Sequence, residues 1–181
     1  LSDDAEACIC LKGLRAESLQ GDSCISQIFS KLGVKTTFTD EGALLTKTDA
    51  VEHLEFDFTH CPDLAQTVVA TCAMMGVTFH FEGLKSLKIK ETDRIEALKK
   101  ELKKVGYVIK DENDNTLIWD GERCDPSYEA IDTYEDHRMA MAFAPIAFKL
   151  PQLKINHPEV VSKSYPQFLE DLKKAGFEIS E

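Results

Sequence analysis

The chain has 181 residues, 43% of them hydrophobic, and 32 acidic against 21 basic side chains give a net charge of −11. That length and apolar content suit a single domain with its own core and exclude a disordered or collagen-like chain. No apolar run nears the ~20 residues of a membrane span, and the acidic balance speaks against general nucleic-acid binding, which neutralises phosphates with surplus Lys and Arg. The first residue is Leu1 rather than Met, so the chain reads as a processed protein or a piece of a longer one. No signal peptide is legible at its start, and a cytoplasmic location is expected.

Three segments along the chain end alike, FSKLGVKTTF from Phe29, LKKVGYVIK from Leu102 and LKKAGFEIS from Leu172. Their glycines, Gly33, Gly106 and Gly176, lie 73 and 70 residues apart. Each segment reads as the last turn of a helix, a Gly past its end and a short strand. The helices ahead of the glycines have cap candidates at Asp22, Asp93 and Ser164, with capping boxes reaching from Asp93 to Glu96 and from Ser164 to Gln167. In the middle helix Ile95, Leu98, Leu102 and Val105 form one stripe, leaving Lys99, Lys100, Lys103 and Lys104 to a solvated face.

Ahead of two of these helices stand segments that are apolar on nearly every side, Asp63 to Met75 and His137 to Phe148, which predicts buried helices. Strands are expected at Leu54 to Phe58, Thr78 to Phe81, Leu117 to Trp119, Ala130 to Tyr134 and Leu153 to Ile155. The repeating unit is strand, buried helix, strand, amphipathic helix, strand. Leu1 enters partway through the first copy, which lacks its buried helix. An α/β fold of three related units over residues 1–181, as one domain, is the expected architecture.

Six cysteines (Cys8, Cys10, Cys24, Cys61, Cys72, Cys124) contain no C-x-x-C pair and no ligand-spaced cluster with histidine, so reduced and mostly buried thiols are expected. Polar residues gather at helix starts instead: Asp63 after Pro62, then Lys88, Lys90, Glu91, Asp93 and Arg94, then Glu135, Asp136, His137 and Arg138, then Lys163. Cations are unfavourable at the positive end of a helix dipole. A bound multi-anionic ligand would explain their placement. The plainer alternatives are that Asp63 caps its helix, that Glu91 and Arg94 form a local ion pair, that Arg138 pairs with Asp136 or Glu135, and that His137 is structural.

Lys90-Glu91-Thr92-Asp93-Arg94, Asp136-His137-Arg138-Met139-Ala140-Met141 and Lys163-Ser164-Tyr165-Pro166 resemble the signatures of the EPSP synthases, the 3-phosphoshikimate 1-carboxyvinyltransferases, in order and close to their spacing. Pro62-Asp63-Leu64-Ala65 resembles the acidic motif that precedes them. The resemblance implies the enolpyruvyl transferase fold, with three βαβαββ units per domain. It also implies that this chain is the C-terminal half, whose partner is an N-terminal domain bearing a Gly-rich phosphoenolpyruvate loop and a Ser-Ser-Gln group.

It further implies transfer of the enolpyruvyl group of phosphoenolpyruvate to the 5-hydroxyl of shikimate 3-phosphate, with no metal or organic cofactor. By this resemblance Asp63 accepts the hydroxyl proton, and Glu91 or Lys163 protonates the methylene carbon. Arg94, Arg138, Lys163 and His137 face phosphoenolpyruvate, while Asp63 and Lys90 face shikimate 3-phosphate. Glu135 stands where many relatives have Asp, and Ser86 where some carry a shikimate-contacting Asn. The rival readings are an enolpyruvyl transferase acting on UDP-N-acetylglucosamine and a non-catalytic binding domain of the same fold.

Overall fold

The computed structural model describes residues 7–17 and 21–180; Leu1, and the side chain of the cap candidate Asp22, lie outside the described set. Strand β1 (Cys8–Lys12) is followed by a 3-10 turn (Gly21–Cys24), helix α1 (Ile25–Lys31), and strands β2 (Leu32–Thr39) and β3 (Gly42–Ala50). These strands form an antiparallel sheet in the order β1-β3-β2. Next come β4 (His53–Asp57), a 3-10 turn (Pro62–Leu64), α2 (Ala65–Met75), β5 (Thr78–Glu82), α3 (Arg94–Lys104), β6 (Lys110–Glu112) and β7 (Thr116–Trp119). Their sheet runs β4-β5-β7-β6, with β4 parallel to β5 and the other pairs antiparallel. The order β5-β7-β6 repeats β1-β3-β2, so β1 corresponds to the second strand of the middle unit. Among the described residues, the first unit has its later elements and no buried helix.

The middle unit follows its sequence signals closely. Strand β5 alternates, with Phe79 and Phe81 wholly buried and His80 and Glu82 outward, the pattern of a sheet wet on one side. Phe81 meets Phe58 edge-on at 5.2 Å and stacks on Phe79 at 4.4 Å. Each fully buried side chain of this size contributes about 1.5–3 kcal/mol through area removed from water. Helix α2 buries Ala65, Val68, Val69, Cys72 and Ala73. One cluster of apolar side chains runs from Ile28 to Ile146 and joins the units into a single core.

The third unit departs from expectation. Ala130–Tyr134 and Leu153–Ile155 form no strands; they meet through one parallel bridge, Ile131 to Ile155. The buried helix splits into α4 (His137–Phe143) and a 3-10 turn (Ala144–Phe148), because Pro145 has no N–H to return to Met141. The last helix, α5 (Phe168–Lys174), begins after Gln167, and neither Ser164 nor Gln167 caps it through a side chain. Tyr165 precedes Pro166 and is thereby disfavoured from helical geometry, which delays the start. Residues 177–180 have no pairing strand among the described residues and stay irregular.

Helix α3 couples the middle unit to the third through buried polar groups. Asp93 caps it, accepting from the Glu96 N–H at 3.1 Å. The other half of that box is not made, since the Glu96 carboxylate takes Lys99 at 2.7 Å. Ile95, Leu98, Leu102 and Val105 are buried as the periodicity requires. Lys104, however, leaves the solvated face. It pairs with the wholly buried Glu101 at 2.6 Å and donates to the Ala130 carbonyl at 2.8 Å. Glu101 also accepts the Tyr134 hydroxyl at 2.6 Å and the Asp132 N–H at 2.9 Å. Residues 120–130 run back along the end of α3, held by Cys124 N–H to Gly106 O at 3.1 Å and Tyr128 N–H to Lys104 O at 3.0 Å.

Candidate active site

Three chain segments place the polar residues of the motifs together: the Pro62–Leu64 turn, the loop leading into α3, and the start of α4. Arg94 is the hub. Its side chain is 2% exposed, and Asp136, opposite it, is 0% exposed. Arg94 donates Nε to Asp136 Oδ2 at 2.7 Å and Nη2 to Asp136 Oδ1 at 3.3 Å, a two-point pair. It also donates Nη1 to Asp63 at 2.8 Å and Nη2 to Glu91 at 2.7 Å. One guanidinium thus ties all three segments. Asp136 caps α4 as well, accepting the Arg138 N–H at 2.9 Å.

Asp63 does not act as the cap of α2. Its turn is 3-10, and no side chain caps either helical segment there. Its carboxylate instead meets Lys90 at 3.3 Å, Arg94 at 2.8 Å and Arg138 at 3.3 Å, while its carbonyl accepts a second Arg138 nitrogen at 3.1 Å. Burial alone would raise the Asp63 pKa, but Arg138, Lys90 and Arg94 outweigh it and hold the carboxyl below its ordinary value of 3.8. The group stays ionised throughout the neutral range.

The sign of the linkage follows. A carboxyl whose folded pKa is lowered lends stability that is present above the unfolded value and fades as pH falls through the folded one. The stability difference between the native chain and Asp63→Asn is therefore expected to be constant above about pH 5 and to shrink below about pH 4. Urea titrations at successive pH values check this; a difference that grows on acidification would contradict it.

Lys163 lies at the end of a 3-10 segment (Pro158–Lys163) and donates to the Glu135 carbonyl at 3.0 Å, so it sits beside the start of α4. His137, the first residue of α4, has a half-buried ring with no polar partner among the described residues. Lys90, Glu91, Asp63, Arg94 and Arg138 form one connected cluster. Lys163 and His137 border it.

Two participants carry roles that the sequence does not disclose. Asp136 stands in the motif at the start of α4 with Arg138 as its suggested partner, whereas its carboxylate pairs with the Arg94 guanidinium and accepts only the backbone N–H of Arg138. Gln66 is 0% exposed, lies 3.5 Å from Asp136 through Nε2, and leaves Oε1 without a hydrogen bond. The signal for Gln66 is its size and polarity in a helix whose other polar side chains are the two small threonines Thr67 and Thr71. No group of three or more His, Cys, Asp or Glu side chains placed to hold a metal occurs among the described residues. No helix among them is long and apolar enough to cross a membrane.

A family model for EPSP synthase (3-phosphoshikimate 1-carboxyvinyltransferase) matches residues 5–172. The chain belongs to the EPSP synthase family. A 3-phosphoshikimate 1-carboxyvinyltransferase of Bacteroides fragilis is 56% identical over 176 residues, which are 96% of this chain and 43% of that protein. One from Sulfurovum sp. is 32% identical over 161 residues, 89% of this chain and 37% of the other. The EPSP synthase of Acinetobacter baumannii superposes with a TM-score of 0.67 at 20% identity, over 97% of this chain and 44% of that structure. That likeness shows the enolpyruvyl transferase fold. The chain spans less than half the length of these EPSP synthases.

Proposed function

We propose that this chain supplies one half of the active site for enolpyruvyl transfer from phosphoenolpyruvate to the 5-hydroxyl of shikimate 3-phosphate, in aromatic amino-acid biosynthesis in the cytoplasm. The other half comes from an N-terminal domain. The observation that carries this reading is the cluster itself: Lys90, Arg94 and Arg138 converge on Asp63, with Glu91 on the far side of Arg94. Both substrates are polyanions, and cations held in place before binding need no reorganisation when charge develops.

The roles follow from the chemistry. The hydroxyl oxygen adds to C2 of phosphoenolpyruvate while C3 gains a proton, giving a tetrahedral ketal. The C2–O bond to phosphate then breaks, and the new methyl group loses a proton to restore the double bond. Asp63, ionised and open to solvent on one side, accepts the hydroxyl proton. Glu91 and Lys163 are the two groups suited to serve C3. Arg138 and Lys163 hold the phosphate and carboxylate of phosphoenolpyruvate, with His137 beside them. Arg94, whose Nη2 protons are taken by Glu91 and Asp136, serves the same anions with its charge and with Nη1, which it shares with Asp63. Lys90 lies by the hydroxyl of shikimate 3-phosphate.

Holding two anionic substrates in attack geometry supplies several kcal/mol of such a barrier. With half of that clamp absent, this chain by itself is expected to release no measurable phosphate from the two substrates. Turnover near a typical kcat of about 10 s⁻¹ by this chain would overturn the division of the site between two domains.

A further inference from the structure

Cys24 closes the 3-10 turn ahead of α1 in the first unit, and Cys61 stands immediately before Pro62–Asp63 in the second. Their sulfur atoms are 2.8 Å apart although 37 residues separate them in sequence. No spacing motif could have shown this pair, since the contact is made by the packing of one unit on the next. We propose that Cys24 and Cys61 form a modification site, at which exchange with a low-molecular-weight disulfide such as glutathione disulfide joins the first unit to the turn that presents Asp63.

The geometry sets the direction of the exchange. Cys61 is 5% exposed, whereas Cys24 is half-buried, so Cys24 is the sulfur an oxidant reaches first. Its thiolate attacks one sulfur of glutathione disulfide, breaks that S–S bond and releases one glutathione thiolate. Cys61 then gives its proton to solvent and attacks the Cys24 sulfur, displacing the second glutathione. Two protein thiols lose two electrons and one disulfide becomes two thiols. Closure needs the sulfurs to draw in to about 2.05 Å, a small displacement from where they stand.

The remaining thiols are poorly placed to compete. Cys72 is buried on α2 and its pKa is pushed up to about 12 by that burial, so little thiolate forms. Cys8 and Cys10 lie two residues apart on an extended strand, which holds their Cα atoms roughly 7 Å apart, at the far limit of disulfide geometry. The Cys124 sulfur faces the Lys103 carbonyl at 3.6 Å, at the opposite end of α3 from the Asp63 turn.

Treating the folded chain with glutathione disulfide, blocking residual thiols with iodoacetamide in denaturant and digesting with trypsin tests this. The expected product joins residues 16–31 to residues 48–85 through Cys24 and Cys61, with Cys72 alkylated. Closing a loop of this length is expected to raise the thermal midpoint by roughly 5–15 °C, reversed by dithiothreitol. Cys24→Ser should show neither the cross-link nor the rise. Glutathione retained on Cys24 with no cross-link, or a cross-link through Cys8, Cys10 or Cys124, would overturn the assignment. So would an equal thermal shift in Cys24→Ser.

Discussion

Asp136→Ala is expected to lower the unfolding free energy of the chain by about 3–5 kcal/mol, the penalty for leaving a buried guanidinium without its main counter-charge. Arg94 and Asp136 are both almost wholly excluded from water and share two hydrogen bonds. The other partners of Arg94, Asp63 and Glu91, are 31% and 48% exposed and screen it less well. The substitution also removes the cap of α4, worth about 1 kcal/mol. Asp136→Asn keeps the shape and an acceptor oxygen for the cap, so it should lose less than Asp136→Ala. Urea midpoints at unchanged m-values measure both. A loss under about 1 kcal/mol for Asp136→Ala would show that Arg94 is solvated or otherwise compensated. Combining Arg94→Met with Asp136→Ala should be milder than the sum of the single changes, because the stranded charge is gone.

The larger effect on chemistry is expected at Glu91. In the enzyme assembled as proposed, with an N-terminal domain supplying the other half of the site, Glu91→Gln keeps the size and reach of the side chain but cannot carry a proton. If Glu91 serves the methylene carbon, kcat should fall by roughly 10²–10⁴ with KM nearly unchanged. Its bond to Arg94 at 2.7 Å provides the competing explanation. An exposed carboxylate that only steadies Arg94 would, on removal, weaken phosphoenolpyruvate binding or reduce stability by about 1 kcal/mol or less. Deuterium exchange into the methylene group distinguishes the two. Native-like exchange in Glu91→Gln would take Glu91 off the proton path and leave Lys163 in that role. Asp63→Asn is the control, since it should suppress ketal formation at the hydroxyl without removing the group that serves the methylene carbon.

The middle unit was legible because each of its signals is local. A cap at Asp93, apolar residues at helical spacing and a glycine past the helix end need no distant partner to be read. Gly33, Gly106 and Gly176 all take positive φ, at 84°, 92° and 96°, as the repeated segment ends require. The third unit was less legible because a strand exists only when a neighbour pairs with it; Ala130–Tyr134 has the composition of a strand but finds one bridge. At the site, the motifs picked out the cluster but not its internal pairing. Glu91 with Arg94 is a neighbourly contact that spacing can suggest, whereas Asp136 with Arg94 spans 42 residues and depends on α3 and α4 both packing against α2. Lys104 was misplaced for the same reason, since two of its partners, the Ala130 carbonyl and Asp132, are supplied by a segment whose path the sequence does not disclose.

The stitching of residues 120–130 to the end of α3 has a consequence for how this chain tolerates change in length. The bonds from Cys124 to Gly106 and from Tyr128 to Lys104 pin both ends of a short stretch, 125–127. Beyond it, Glu101 fixes Asp132 and Tyr134 by side-chain bonds that do not depend on how the chain arrived. Asp125 and Ser127 are exposed. Extra residues entering there would lengthen a loop whose closure entropy grows only with the logarithm of its length, about 0.6 kcal/mol per doubling. Asp136 and the start of α4 would stay where Glu101 and Arg94 hold them. Residues 125–127 are thus a point at which the chain can be opened, and a foreign segment spliced in, without the site learning of it.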